Sequence, residues 1–177
     1  MISKKSIGLI FCGLVAISGP ALANGTGSAR HGHGDEAIGL PGRASQVNRT
    51  VTIEMNDEMR FIPSRLKVKQ GETIRFVVKN SGKMEHEFVL GTDEELKKHN
   101  ELMEKFPEME HADANMIRVD PGKTGEVLWR FTKTGEVGFA CLVAGHFDAG
   151  MKGAIKVFPE SKSDYGSKSD SRINTDH

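Results

Sequence analysis

The sequence predicts an all-β sandwich with one short inserted helix, a flexible N-terminal arm and a C-terminal tail. Three observations carry that expectation. Between Arg49 and Pro159 the apolar residues fall in short alternating runs rich in β-branched side chains. Gly and Pro turn signals separate the runs at close intervals, as in sandwiches and barrels. Within that span a single stretch, after Thr92, carries a helical period.

The N-terminus comes first. Lys4 and Lys5 precede an apolar run from Ile7 to Ile17, which Gly19 and Pro20 break. Ala21-Leu22-Ala23 is a small-x-small cleavage signal, so residues 1–23 read as a secretory signal peptide. An uncleaved anchor is the alternative, but the run falls well short of the ~20 residues a spanning helix needs. The mature chain of about 150 residues is then one soluble, exported domain with no stable membrane insertion. Residues 24–48 are rich in Gly, Ala and small polar side chains and read as a flexible arm. This arm holds His31 and His33, with Asp35 and Glu36 close behind. Those groups can converge on one cation; the plainer reading is a solvated leader.

The strands follow. Thr50 to Met55 alternates, and so does Leu66 to Lys69 before a turn at Gln70-Gly71-Glu72. Thr73 to Asn80 is the clearest strand, ended by Ser81-Gly82. Glu85 to Leu90 is an apolar run stopped by Gly91. Met116 to Val119, Gly125 to Phe131, Val137 to Cys141 and Ala154 to Phe158 complete the set, with turns at Pro121-Gly122 and Thr134-Gly135. Trp129 reads as core.

Residues 92–116 interrupt this texture. Thr92 and Glu95 form a capping box. Leu96, Met103 and Phe106 recur at helical spacing with Leu102 nearby, and Pro107 closes the run. These signals predict a helix of about three turns with that face on the sandwich. Met103, Met109, His111 and Met116 would make a thioether-rich Cu(I) patch. The favoured reading has Met103 under the helix, Met116 opening a strand, and Met109 and His111 in a loop. Residues 160–177 are dominated by Ser, Lys, Asp and Gly, a disordered composition.

Charge is balanced, with 24 Lys and Arg against 24 Asp and Glu, and no basic face stands out, which argues against nucleic acid as a partner. Signal cleavage removes Cys12 and leaves Cys141 as the one thiol. An exported lone thiol is buried, paired with another chain, or bound to something.

Cys141, His146 and Met151 supply a thiol, an imidazole and a thioether along one glycine-broken loop. Cys, His and a weak axial Met, completed by a second His, make a mononuclear blue-copper site. His86, upstream beyond the Thr73–Asn80 strand, supplies that second imidazole. Zinc also accepts thiolate and imidazole, but the axial thioether favours copper. Met84, two residues before His86, would line the site or be core. Phe147 would form an apolar rim for a partner. No nucleophile–base pairing or phosphate-binding glycine loop stands out.

Cys141-x4-His146-x4-Met151, with Gly145, Gly150 and Gly153 around it, resembles the signature of the cupredoxins, the blue-copper proteins. The resemblance covers about residues 49–159. It implies a Greek-key β-sandwich with one type 1 copper centre, cycling between Cu(II) and Cu(I), at one end. His86, Cys141, His146 and Met151 would be the ligands. The leader from His31 to Glu36, the run Met84 to Phe88 and the acidic insertion are most similar to periplasmic copper-tolerance cupredoxins of the CopI type. One departure matters: Glu87 stands where many cupredoxins have Asn, so the hydrogen bonding behind the thiolate differs.

Three functions follow. The first is periplasmic copper handling and tolerance, with copper ions and a redox or copper-trafficking protein as partners. His31, His33, Met84, Met109 and His111 would be secondary copper contacts. The second is one-electron transfer between redox partners. The third, cuprous oxidation, is weaker, because four protein ligands leave no open position for substrate; the chain is expected not to be an enzyme.

Overall fold

The structure is a computed structural model that describes residues 35–109 and 112–160. A single-turn helix, α1 (Asp35–Ile38), leads into β1 (Leu40–Pro41) and a 3-10 turn at Ala44–Gln46. Then come β2 (Arg49–Asn56), β3 (Arg60–Ile62), β4 (Arg65–Lys69), β5 (Thr73–Asn80) and β6 (His86–Gly91). Helix α2 (Asp93–Lys105) precedes β7 (Met116–Val119), β8 (Thr124–Arg130), β9 (Gly135–Ala140) and β10 (Lys152–Phe158).

The strands form two five-stranded sheets, ordered β1-β8-β5-β2-β3 and β4-β10-β9-β6-β7. The pairs β2–β5 and β4–β10 are parallel, and the other pairs are antiparallel. Consecutive strands repeatedly change sheet, which is how a sandwich closes around one core. Phe61, Phe76, Phe88 and Phe139 fill its centre, and Phe88 meets the other three at ring-centroid distances of 5.3–6.0 Å. Trp129 is fully buried. Full burial of each such side chain contributes roughly 1.5–3 kcal/mol.

All six residues of β6 are buried. One face of the strand joins the sandwich core through Phe88 and Leu90. The other lies under α2, where Val89 packs with Leu96, Met103, Met116, Ala140, Leu142 and Phe147. A strand covered on both sides reads as a continuous apolar run rather than an alternation.

The capping box of α2 is formed: the Glu95 amide donates to the Thr92 hydroxyl, and the Glu95 carboxylate accepts from the Thr92 amide. Such a cap is worth about 1 kcal/mol. The helix turns the predicted face inward at Leu96 and Met103, and departs from the expectation at its end. Leu96, Asn100 and Met103 are buried, whereas Phe106 is 54% exposed and Leu102 is 40% exposed. Phe106 ends the helix at φ −135°, ψ 67°, so helical periodicity no longer directs its side chain.

The expected arm also differs in its second half. Ile38 is buried, its carbonyl accepts from the Trp129 indole at 3.1 Å, and β1 pairs with β8. Capping the edge of the first sheet and satisfying a buried indole N–H tie this segment down.

Candidate metal centre

Three donors meet at one end of the sandwich. His86 opens β6, Cys141 follows the last residue of β9, and His146 lies in the loop that leads to β10. One donor atom from each lies within 4.8 Å of the other two. Among the described residues this is the one such cluster of His, Cys and carboxylate donors. Cys141 Sγ stands 3.3 Å from His146 Nδ1 and 4.0 Å from His86 Nδ1. The two imidazole rings are 5.0 Å apart and tilted by 51°.

The backbone of the loop explains the convergence. The Cys141 amide donates to the Met151 carbonyl at 3.1 Å, and the Met151 amide donates to the His146 carbonyl at 3.0 Å. Met151 is thereby tied to both other loop donors, and its side chain is buried in the same core cluster as Cys141. Gly145 at φ +81° and Gly150 at φ +94° take left-handed turns that a side chain would strain. Gly153 has a different reason to be glycine: it lies in β10, where a Cβ would overlap the Phe139 ring. From outside the loop, Arg60 on β3 donates to the Ala149 carbonyl at 3.2 Å.

His86 is held from behind. Its ring is fully buried, and Nε2 lies 3.2 Å from the Asp57 carboxylate. The Lys83 amide, helped by the Met84 amide and His86, holds the Asp57 carboxyl below the usual carboxylate range. Asn80 is buried, and its Nδ2 donates to the carbonyls of Met84 and Val119, which fixes the loop entering β6.

Glu87 points away from the donors. Its amide donates to Cys141 Sγ at 3.3 Å. Its fully buried carboxylate pairs with Arg118 on β7, at 2.7 Å through Nη2 and 2.9 Å through Nε. The second carboxylate oxygen, Oε2, has no hydrogen-bond partner. The departure read from the sequence at Glu87 is therefore a charged cross-strand pair with Arg118.

Electrostatics suit a cation at the donors. Burial pushes the Cys141 thiol up to about 12, only partly opposed by the amides of Glu87 and Val143. Burial, then the nearby His86, pulls His146 down, so its imidazole is readily neutral. A neutral imidazole is a ligand, and a buried thiol becomes one when a metal replaces its proton. One sulfur carrying aimed amides, two imidazole nitrogens and a buried thioether suit copper better than a hard cation.

Other expected contacts fall elsewhere. Because β6 begins at His86, Met84 lies in the preceding loop and is 41% exposed, not core. Met109 is 38% exposed after α2. Met103 is buried under α2 and Met116 opens β7. Phe147 is buried against α2, with the Lys152 ammonium 4.1 Å from its ring centre, so it forms no exposed rim. His31, His33 and His111 lie outside the described residues. Asp57, Arg60 and Arg118 were not singled out from sequence, since each gains its role from pairing register or loop packing.

Comparison with known proteins agrees. A family model described as copper binding proteins, plastocyanin/azurin family, matches residues 47–158. The copper-resistant cuproprotein CopI of Rubrivivax gelatinosus is 50% identical over 128 residues, covering 72% of this chain and 78% of that protein. The protein of the same name from Pseudomonas aeruginosa is 34% identical over 166 residues, covering 77% and 90%. Among solved structures, auracyanin B superposes with a TM-score of 0.58 at 22% identity, over 69% of this chain and 97% of that one. An auracyanin from Roseiflexus castenholzii gives 0.55 at 24%, over 64% and 99%. At such identities the structures speak for the fold alone, and the fold they share is the cupredoxin β-sandwich. With the family model spanning most of the chain, and with this sandwich and donor cluster, the chain belongs to the plastocyanin/azurin family of copper-binding proteins, the cupredoxins.

Proposed function

We propose that this protein handles copper in the periplasm and confers copper tolerance, holding the ion through His86, Cys141, His146 and Met151. The convergence of His86, Cys141 and His146 within 4.8 Å carries the reading. Similarity to two proteins named copper-resistant cuproprotein CopI supports the role. No described helix is long and apolar enough to cross a membrane, and residues 1–23 would act as the export signal.

When bound, the copper supplies a one-electron couple between Cu(II) and Cu(I). The chain's own residues do the rest. His146 would offer its readily neutral imidazole, His86 the nitrogen that faces Cys141, Cys141 would give up its proton, and the Glu87 amide would stabilise the sulfur. The Cys141–Met151 and Met151–His146 backbone bonds keep the loop donors together. One-electron transfer remains a second reading, favoured by that same preformed loop, since fixed donors serve both oxidation states with little rearrangement.

The deciding experiment is deletion of the gene in a strain without a redundant copper system, followed by growth on graded copper. Loss of tolerance, restored by the wild-type gene and not by Cys141→Ala, is expected. Unchanged tolerance together with slowed respiratory or photosynthetic electron flow would favour the carrier.

Loading also has a proton signature. With its thiol pushed up to about 12, Cys141 is protonated at neutral pH and must lose that proton on binding. Uptake of Cu(II) at pH 7 is expected to release about one proton, and affinity to rise with pH. Calorimetry in buffers of different ionisation enthalpy measures the number. A value near zero would remove Cys141 from the ligand set.

A further inference from the structure

We propose that Asp57 is a positioning residue for the copper site, one that fixes the His86 tautomer and biases the bound metal toward Cu(II). The proposal rests on His86 being a ligand. Asp57 lies in the turn between β2 and β3, 29 positions before His86. Its Oδ1 is 3.2 Å from His86 Nε2, on the opposite side of the ring from the nitrogen that faces Cys141.

A carboxylate only accepts hydrogen bonds, so Nε2 must carry the proton and Nδ1 keeps its lone pair. Nδ1 is the nitrogen directed at the sulfur. A ligand imidazole that donates its other N–H to a carboxylate is fixed in orientation and made more basic. The ring is fully buried, so the exposed surface offers no competing partner for that N–H.

The carboxylate is 35% exposed, and backbone amides hold it in place. Lys83 donates its amide to Oδ2 at 2.7 Å, and Met84 donates to Oδ1 at 3.2 Å. The loop wraps so closely that a Cβ at Gly82 would overlap the Asp57 carboxylate. Three donors from the segment ending at His86 therefore converge on one acceptor from a different hairpin. Its negative charge, added to that of a Cys141 thiolate, stabilises the more positive oxidation state of the metal.

The test uses the mature protein and its Asp57→Asn variant, with Asp57→Glu as the conservative rescue. The asparagine is expected to keep copper and its visible band. It should shift the Cu(II)/Cu(I) equilibrium roughly tenfold toward Cu(I), about 59 mV upward for one electron. Asp57→Glu should return the equilibrium toward wild type. A copper-loaded Asp57→Asn with an unchanged potential would overturn the proposal while leaving the copper site standing. A second readout needs neither variant nor metal: nitrogen–proton NMR of the copper-free protein should find His86 protonated at Nε2. Protonation at Nδ1 would overturn the proposal even if the variant failed to fold. Retention of the native copper spectrum by His86→Ala would instead refute the ligand reading, and this inference with it.

Discussion

Replacing Cys141 with alanine is expected to abolish the intense visible band of the copper-loaded protein completely. That band arises from charge transfer between a thiolate and copper, and Cys141 is the one cysteine in the sequence outside the proposed signal at residues 1–23. Copper affinity at the core should fall by at least ~100-fold, the upper range for losing even an outer hydrogen-bond partner of a metal ligand. Visible and EPR spectra across a copper titration measure both effects. Equivalents of copper that survive in the variant report sites elsewhere, and His31, His33, Met109 and His111 are then the residues to remove. A surviving blue band would eliminate the proposed centre.

Arg118→Ala should produce the largest loss of stability outside the core. It strands the fully buried Glu87 carboxylate, one of whose oxygens already lacks a partner. Removing one member of a buried pair costs about 3–5 kcal/mol, and the partial exposure of Arg118 (33%) places the expected value near ~3 kcal/mol. Glu87→Gln should cost much less, because the charge it leaves, on Arg118, is partly exposed and keeps the Glu85 carboxylate at 3.5 Å. Denaturant unfolding of the copper-free proteins separates the two. Equal losses from both variants would mean that the pair contributes packing rather than charge neutralisation. The Glu87 amide also faces Cys141 Sγ, so Arg118→Ala should perturb the copper spectrum as well.

Much of the architecture was legible because local signals agreed with it. β5 and β7 occupy the residues expected of them, Thr73 to Asn80 and Met116 to Val119. Thr92 and Glu95 specify the start of α2 by chemistry that is complete within four residues. The loop from Cys141 to Met151 carries its donors and turn glycines in one stretch.

What escaped the sequence depends on contacts between distant segments. β3 has three residues and gains its identity from pairing with β2. Phe106 follows the helical period in sequence yet falls at the cap, where the period lapses. Phe147 beside His146 suggested an exposed rim, but α2 covers it, and nothing local announces that cover. Glu87 was visible as a departure, whereas its partner required the β6–β7 register that sets it opposite Arg118. Asp57 is the extreme case, an ordinary turn aspartate until the amides of the loop before β6 donate to it.

The two imidazoles are not equivalent in burial: His86 is sealed in a doubly covered strand, and His146 is partly exposed on a loop pivoted at Gly145 and Gly150. Opening a surface loop costs far less free energy than opening a core strand. Metal exchange at the proposed site is thus expected to be a local event on the His146 side, with a residence time set by how often that loop lifts. Residence time and global stability then become separately adjustable, the first through the two pivots and the second through the aromatic centre.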